Sequence, residues 1–410
     1  MLSVFSFAAN LAVALYCSPE GFAVYTLVWS VLQLSAGLQN AAINMPMLAN
    51  RASVNVNERE SLSALLIMLS SVTSIVLAIA FLITMEFIRQ QTRGGDVFLP
   101  IACGISLVGV WGREVRRAIG YIREEPKGVL RGDLAFASLA ISSALGLAYL
   151  NRALSPAIVL TAIGLGGIAT GTFSLPLTRG ALDRAVHEWR STKVRLLGQI
   201  GWTLPSVAMS WVQAYACSFF ALSFGGLRSV AALNFARLTT TPASLLQGAW
   251  SRLFQPRAAR MLAGGSKREA VPSACRGVWT VGVLTLLYGG AVLAVARFDV
   301  LPQVSGRMNS VLGLIALWTV YLLVAAIRGP ATSLLTAAGR FRQLFLYGAI
   351  TTTTTVVLSL VFGKWIGPGG LIGAMIAGEL MLGALTWNAV RQFYSHNTGV
   401  LPLQTDGVRD

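Results

Sequence analysis

Few side chains in this sequence are equipped for chemistry, and most of those are cations. Two histidines, His187 and His396, assemble neither a metal cluster nor a histidine-based triad. The four cysteines, Cys17, Cys103, Cys217 and Cys275, lie singly with no zinc or thiol-redox spacing and read as packing residues. No catalytic residue, cofactor or metal is therefore expected. What remains is arginine in apolar surroundings. Arg237 lies inside a hydrophobic stretch, where a charge costs roughly 2.5–3.5 kcal/mol on insertion scales, so it should face a cavity or a partner. Asn234 at i−3 and Thr241 at i+4 share its helix face, and Pro242 just beyond frees a backbone carbonyl. A guanidinium fork beside an amide and a hydroxyl suits phosphate oxygens; snorkelling to an interface, or pairing with an acid on another helix, is the structural alternative.

A second group, Arg113, Glu114, Arg116 and Arg117, follows the fourth apolar run, where helix 4 is expected to leave the membrane. Arg113 and Arg117 stack at i and i+4, and such a cluster at an inward-facing mouth would draw in anionic headgroups; the plainer reading is a set of membrane-end anchors. Arg328, on helix 10, precedes Gly329 and Pro330, a kink signal. For ion coupling the candidates are carboxylates: Glu379, deep in the last span behind the small-residue stripe Gly370, Ala374, Gly378, then Glu114 and Asp133, each also able to form a structural ion pair. Gln33 and Gln213 are candidates for hydrogen bonds to a polar substrate. Like Gln199, Ser206 and the Thr351 to Thr355 run, they serve equally as interhelical contacts worth ~1 kcal/mol or less.

These residues are set in a chain of 410 residues that is 55% hydrophobic and only 12% charged, a composition that excludes an ordinary soluble domain. The net charge of +16 sits in the gaps between apolar runs, which argues for topology and anionic lipid or ligand and against nucleic acid. Apolar runs place twelve spans: 2–17, 22–43, 62–88, 97–111, 134–150 and 157–177, then 196–224, 230–253, 278–298, 311–327, 344–362 and 371–390. Met1 opens directly into a first span that is short for a crossing and has no charged leader, which reads as a shortened start. With the N-terminus cytoplasmic, 24 of the 32 lysines and arginines fall in inner connections and the tail, seven in outer ones, and Arg237 in mid-span. One helix more or fewer would scramble that split.

Repetition is faint but consistent. Leu38, Gln39 and Ala41 recur as Leu246, Gln247 and Ala249, each set followed by a proline, Pro46 or Pro256. Gly120 to Arg123 recurs as Gly339 to Arg342. The expected fold is all-α and polytopic, with about twelve transmembrane helices in two pseudo-symmetric six-helix lobes. These are residues 1–178 and 196–392, joined by a basic cytoplasmic linker over 179–195 and followed by a tail over 393–410. A transporter built from repeats places its substrate between them.

The turn Ser18, Pro19, Glu20, Gly21, Phe22, Ala23, Val24, Tyr25 after a short first helix resembles the start of polysaccharide flippases of the multidrug/oligosaccharidyl-lipid/polysaccharide exporter superfamily, whose fold is MATE-like. The stretch Gly225 to Arg237, with Pro242 and the run Gln255, Pro256, Arg257, Ala258, Ala259, is similar to the helix 7 to 8 junction of the Wzx-type O-antigen and exopolysaccharide flippases. Where many such flippases carry an Asp-Arg pair late in helix 7, this chain has Ala216 and Cys217, so no role of that pair carries over. The resemblance implies a monomeric protein of the bacterial cytoplasmic (inner) membrane with both termini inside. It would flip an undecaprenyl-diphosphate-linked oligosaccharide outward by alternating access, among membrane lipids and alongside other polysaccharide-synthesis proteins. One rival is a cation-coupled small-molecule efflux antiporter, whose cavity should be acidic or aromatic. Another is a polymerase or ligase acting on lipid-linked sugars, which should present a large outer loop, whereas the outer connections here are short.

Overall fold

A computed structural model describes residues 2–44, 56–91, 97–123, 125–151, 154–172, 179–263, 267–298 and 311–395. Among them every regular element is helical. Helix α1 is Leu2–Tyr16, α2 is Pro19–Gln39 with a π-turn Asn40–Asn44 at its end, α3 is Val56–Gln91, α4 is Leu99–Ile122, α5 is Pro126–Asn151 and α6 is Pro156–Thr172. The run Arg179–Ala263 is two helices, α7 over 179–225 and α8 over 227–263, because Gly226 interrupts it at φ 69°, ψ −170°, a conformation only glycine adopts without strain. Then come α9, Lys267–Arg297; α10, Leu312–Ala337; α11, Phe341–Ile366; and α12, Pro368–Ser395. The twelve expected helices are all present. Among the described residues eight stretches are long and apolar enough to cross a membrane, and the longest of them, Leu204–Leu262, contains the Gly226 break; α1 and α6 hold shorter apolar segments.

Helix α4 continues past the apolar run that ends at Trp111 to Ile122 and carries the Arg113 cluster, whose charges are paired and covered along its surface. The basic stretch 179–195 is helical and forms the first part of α7. The tail beyond Ser395 and the segment 45–55 lie outside the described residues.

Turn chemistry explains the breaks. Ser18 caps α2, its hydroxyl accepting from the Gly21 N–H at 3.1 Å, with Pro19 at the first helical position. Helix α10 ends in a left-handed Gly339, with the Arg340 N–H returning to the Leu335 carbonyl at 3.0 Å.

The chain folds as two compact units, Met1–Leu238 and Thr239–Asp410. In the first, α3 packs on α4, α4 on α6 and α5 on α6; in the second, α9 packs on α10, α10 on α12 and α11 on α12. The same three pairings thus recur six helices apart, the pattern of a duplicated bundle. The α4–α6 crossing is backbone to backbone. A Cβ at Gly164 would sit 2.6 Å from the Ile105 carbonyl carbon, and one at Gly109 or Gly167 would collide with the backbone of the opposing glycine. Small residues let helices approach where lipid offers no hydrophobic drive for association. In the second unit the stripe Gly370, Ala374, Gly378 plays this part, with Gly378 against Thr355 and Gly370 against the Phe362 carbonyl. Three threonines of α11, Thr351, Thr354 and Thr355, each donate to the carbonyl four residues back.

Candidate functional site

Each unit contains an arginine held against a carboxylate inside the bundle. In the second unit Arg328 of α10 donates from Nε to Glu379 Oε2 of α12 at 2.5 Å. Tyr321, two turns earlier on α10, donates its hydroxyl to the other carboxylate oxygen at 3.3 Å. The Glu379 side chain is only 3% exposed and that of Arg328 23%, so the acid is the buried partner and the guanidinium the one with access. A second nitrogen of Arg328 lies 3.3 Å from Thr332 Oγ1.

That access is to a cavity of about 330 Å³ between α8 and α10, with Val281 of α9 at its wall. Its polar lining includes Gln247, Ser251 and Gln255 of α8 and Arg328, Thr332 and Thr336 of α10. Pro330 shapes it. With no N–H to offer the Ala326 carbonyl, it opens the α10 ladder, and the neighbouring Ile327 carbonyl is taken by Trp387 Nε1 of α12 at 3.0 Å. Gln247 closes the far side, donating to the Leu322 carbonyl at 2.9 Å and to Thr285 Oγ1 at 3.3 Å.

In the first unit Arg113 and Arg117 share Glu114, at 2.6 and 3.2 Å, and Arg117 lies 3.8 Å from Asp133 of α5. The Arg113 guanidinium also stacks over Phe136, 4.8 Å from the ring centroid, while Arg116 reaches the Thr170 carbonyl of α6 at 3.4 Å. Two guanidiniums thus meet two carboxylates with a third, Arg116, on a backbone carbonyl, and the buried Nε atoms of Arg113 and Arg117 have no hydrogen-bond partner. The two sites correspond. Gln39 donates to the Trp111 carbonyl of α4 at 3.1 Å as Gln247 does to α10, and Arg113 and Arg328 each stand ten residues before the C-cap of their helix, Arg123 and Ala338.

Arg237 is placed differently from these. Its guanidinium donates to the Ala214 carbonyl of α7 at 2.9 Å and lies over Tyr215, 4.7 Å from the centroid. Asn234, on the same face, donates to Ser218 Oγ at 3.1 Å. That face of α8 is thus engaged with α7. Thr241 follows a turn later and is partly buried; Gln213 is partly buried on α7, and Gln33 is exposed on α2. The structure therefore joins Arg328 to Glu379, and Arg113 and Arg117 to Glu114 and Asp133, in both cases uniting a proposed anion ligand with a proposed coupling acid. The sequence alone did not single out Tyr321, Trp387 or Phe136. Tyr321 had a signal, being seven residues before Arg328 and so on its helix face.

No protein-family model and no curated protein sequence matches this chain. Solved structures do. An inward-facing multidrug resistance MATE family transporter of the MOP superfamily superposes with a TM-score of 0.74 at 14% identity, over 97% of this chain and 95% of its own. The lipid II flippase MurJ, in an inward closed conformation, gives 0.71 at 12% identity, over 95% and 86%. A MOP superfamily transporter from Pyrococcus furiosus, described as having a binding pocket of reversed polarity, gives 0.63 at 15% identity, over 98% and 94%. The chain has the fold of these multi-pass membrane transporters along its full length.

Proposed function

We propose that this chain is a flippase of the multidrug/oligosaccharidyl-lipid/polysaccharide exporter superfamily. On this reading it moves an undecaprenyl-diphosphate-linked oligosaccharide from the cytoplasmic to the outer leaflet of the bacterial inner membrane, for O-antigen or exopolysaccharide synthesis. The observation that carries the reading is the Arg328 cavity: a guanidinium reaching a space lined with amides and hydroxyls fits a diphosphate joined to sugars better than an organic cation. The first-unit cluster supports it, with two guanidiniums on two carboxylates and a third on a backbone carbonyl. Glu379, Glu114 and Asp133 are the carboxylates through which an ion gradient would act, and alternating access supplies the movement. The protein works as a monomer among membrane lipids, beside other proteins of polysaccharide synthesis, with both termini cytoplasmic.

The test is reconstitution. Purified protein in liposomes should translocate a radiolabelled polyprenyl-diphosphate sugar, Arg328→Ala and Arg237→Ala should slow it at least tenfold, and Arg409→Ala should leave it unchanged. Equal rates in all four proteins would remove these arginines from the substrate path. One observation favours a second reading, cation-coupled efflux of small molecules: a carboxylate, Glu379, is buried in the bundle, as a cation carrier requires. Saturable binding of cationic drugs that Glu379→Gln abolishes would decide for it.

A further inference from the structure

We propose that a groove walled by α9, α10 and α12 binds one anionic phospholipid, its acyl chains laid against Trp279 and Trp387 and its phosphate on Arg391. The site is separate from the α8–α10 cavity and stands whatever substrate that cavity takes.

The groove holds about 680 Å³, within the roughly 300–1,000 Å³ typical of ligand pockets. Val278 and Trp279 come from α9, Ile327 from α10, and Trp387 and Val390 from α12; Arg391 is the one charged lining residue among the described residues. The inner wall is fixed. Trp387 is held by the bond from its Nε1 to the Ile327 carbonyl at 3.0 Å, and Val390 belongs to the buried core of the second unit. The outer wall is open, since Trp279 is 75% exposed and Ile327 50%. In a bundle of membrane-spanning helices an apolar face of this kind meets lipid.

Its depth and its charge say which lipid. The apolar span of α12, Pro368–Gln392, ends one residue after Arg391, and that of α9, Glu269–Arg297, begins two residues before Val271. The groove therefore lies where the spans end, at the level of headgroups, and tryptophan is at home there. Arg391 stands at i+4 from Trp387, on the same helix face and one turn nearer the helix end. It is exposed, and among the described residues no carboxylate lies within 4.0 Å of it. A chain laid on the tryptophans thus brings its phosphate to a guanidinium whose donor fork matches phosphate oxygens. A zwitterionic headgroup would add a second cation beside Arg391, whereas an anionic one does not.

The tail of a substrate seated on Arg328 is a poorer occupant. Trp250 borders the cavity, Val271 and Trp387 border the groove, and all three pack on one buried cluster that includes Ala270, Ala274, Ala331 and Leu334. That core stands between cavity and groove, so a molecule with its diphosphate in the first would carry its tail elsewhere.

Cys275 reports on the site, because it lines the groove and is exposed while Cys17, Cys103 and Cys217 are buried. The full chain is placed in phosphatidylcholine nanodiscs with a rising fraction of phosphatidylglycerol, and alkylation of Cys275 by N-ethylmaleimide is followed by intact mass. In wild type the rate should fall to a plateau. In Arg391→Gln, referred to its own rate in pure phosphatidylcholine, half of the effect should need about fivefold more phosphatidylglycerol, the worth of one basic residue at an anionic surface. Wild type released into detergent should also retain one phosphatidylglycerol in preference to phosphatidylcholine by native mass spectrometry, a measurement that needs no variant. Equal slowing in both proteins would be a general effect of surface charge and would overturn the site, as would no slowing in wild type. Slowing by farnesyl phosphate but not by phosphatidylglycerol would overturn the phospholipid and give the groove to a prenyl chain. Slowing that follows protein concentration in detergent, without added lipid, would overturn it in favour of a second copy of the chain.

Discussion

At the scale of single residues, the organising fact is that the arginines of the candidate site are not bare. Arg328 is committed to Glu379, Arg113 and Arg117 to Glu114, and Arg237 to the α7 backbone and the Tyr215 ring. An ion pair of this kind is weak evidence for stability, but removing one member is costly because the other is left uncompensated. Arg328→Ala should therefore lower the unfolding free energy by about 3–5 kcal/mol, and Arg328→Met with Glu379→Leu should recover most of it. Unfolding in detergent, followed by tryptophan fluorescence, gives both numbers, and additive losses in the double variant would mean that the pair is not coupled. The matching glutamines are a milder case. Gln39→Met removes one bond between helices and Gln247→Met two, and each bond should be worth about 0.6 kcal/mol, and no more than about 1.7. The types of these residues were legible in the sequence, their pairing was not. Arg328 and Glu379 lie 51 positions apart on different helices, and no periodicity within a helix can reveal which neighbour a side chain meets.

At the scale of helices, the number of elements follows from hydropathy because each span must satisfy its own backbone in lipid, and so must be a helix of sufficient length. Helix ends are less legible. The apolar run of α4 ends at Trp111 while the helix runs on to Ile122, with Glu114, Asp133 and Phe136 set against the charges that follow. The break at Gly226 is visible in advance as a glycine pair between two apolar runs, whereas the α4–α6 crossing is not, since glycine spacing on one helix does not name its partner. That crossing is a sharp place to test the packing. Gly167→Ala forces a methyl into the backbone of Gly109, with nothing flexible to yield, and overpacking of a close interface typically costs ~1–3 kcal/mol. Gly146→Ala, where nothing lies within 4 Å, should be neutral or stabilising by up to about 1 kcal/mol. Comparing the melting of the two variants in detergent separates loss of the contact from the general effect of replacing a helical glycine. If both shift alike, α4 and α6 do not meet backbone to backbone.

At the scale of the whole molecule, the duplicated set of pairings and the alternation of basic connections are two readings of one architecture, and the second assigns it a direction. With 24 lysines and arginines expected in inner connections and seven in outer ones, the prediction is that α11 begins on the cytoplasmic side, at Arg340, and ends outside, at Lys364. Those two residues are 24 positions apart on or beside a single helix, about 36 Å along its axis, enough to span a hydrocarbon core of about 30 Å. Both are exposed and therefore open to reagents, as is Cys275, while Cys17, Cys103 and Cys217 are buried. In a Cys275→Ser background, Lys364→Cys should react with a membrane-impermeant maleimide in intact spheroplasts and Arg340→Cys only after permeabilisation. The opposite pattern would invert the molecule and with it the leaflet from which a headgroup enters. Labelling of both in intact cells would mean that α11 does not cross, and the six-helix repeat would then have to be reassigned from this helix outward.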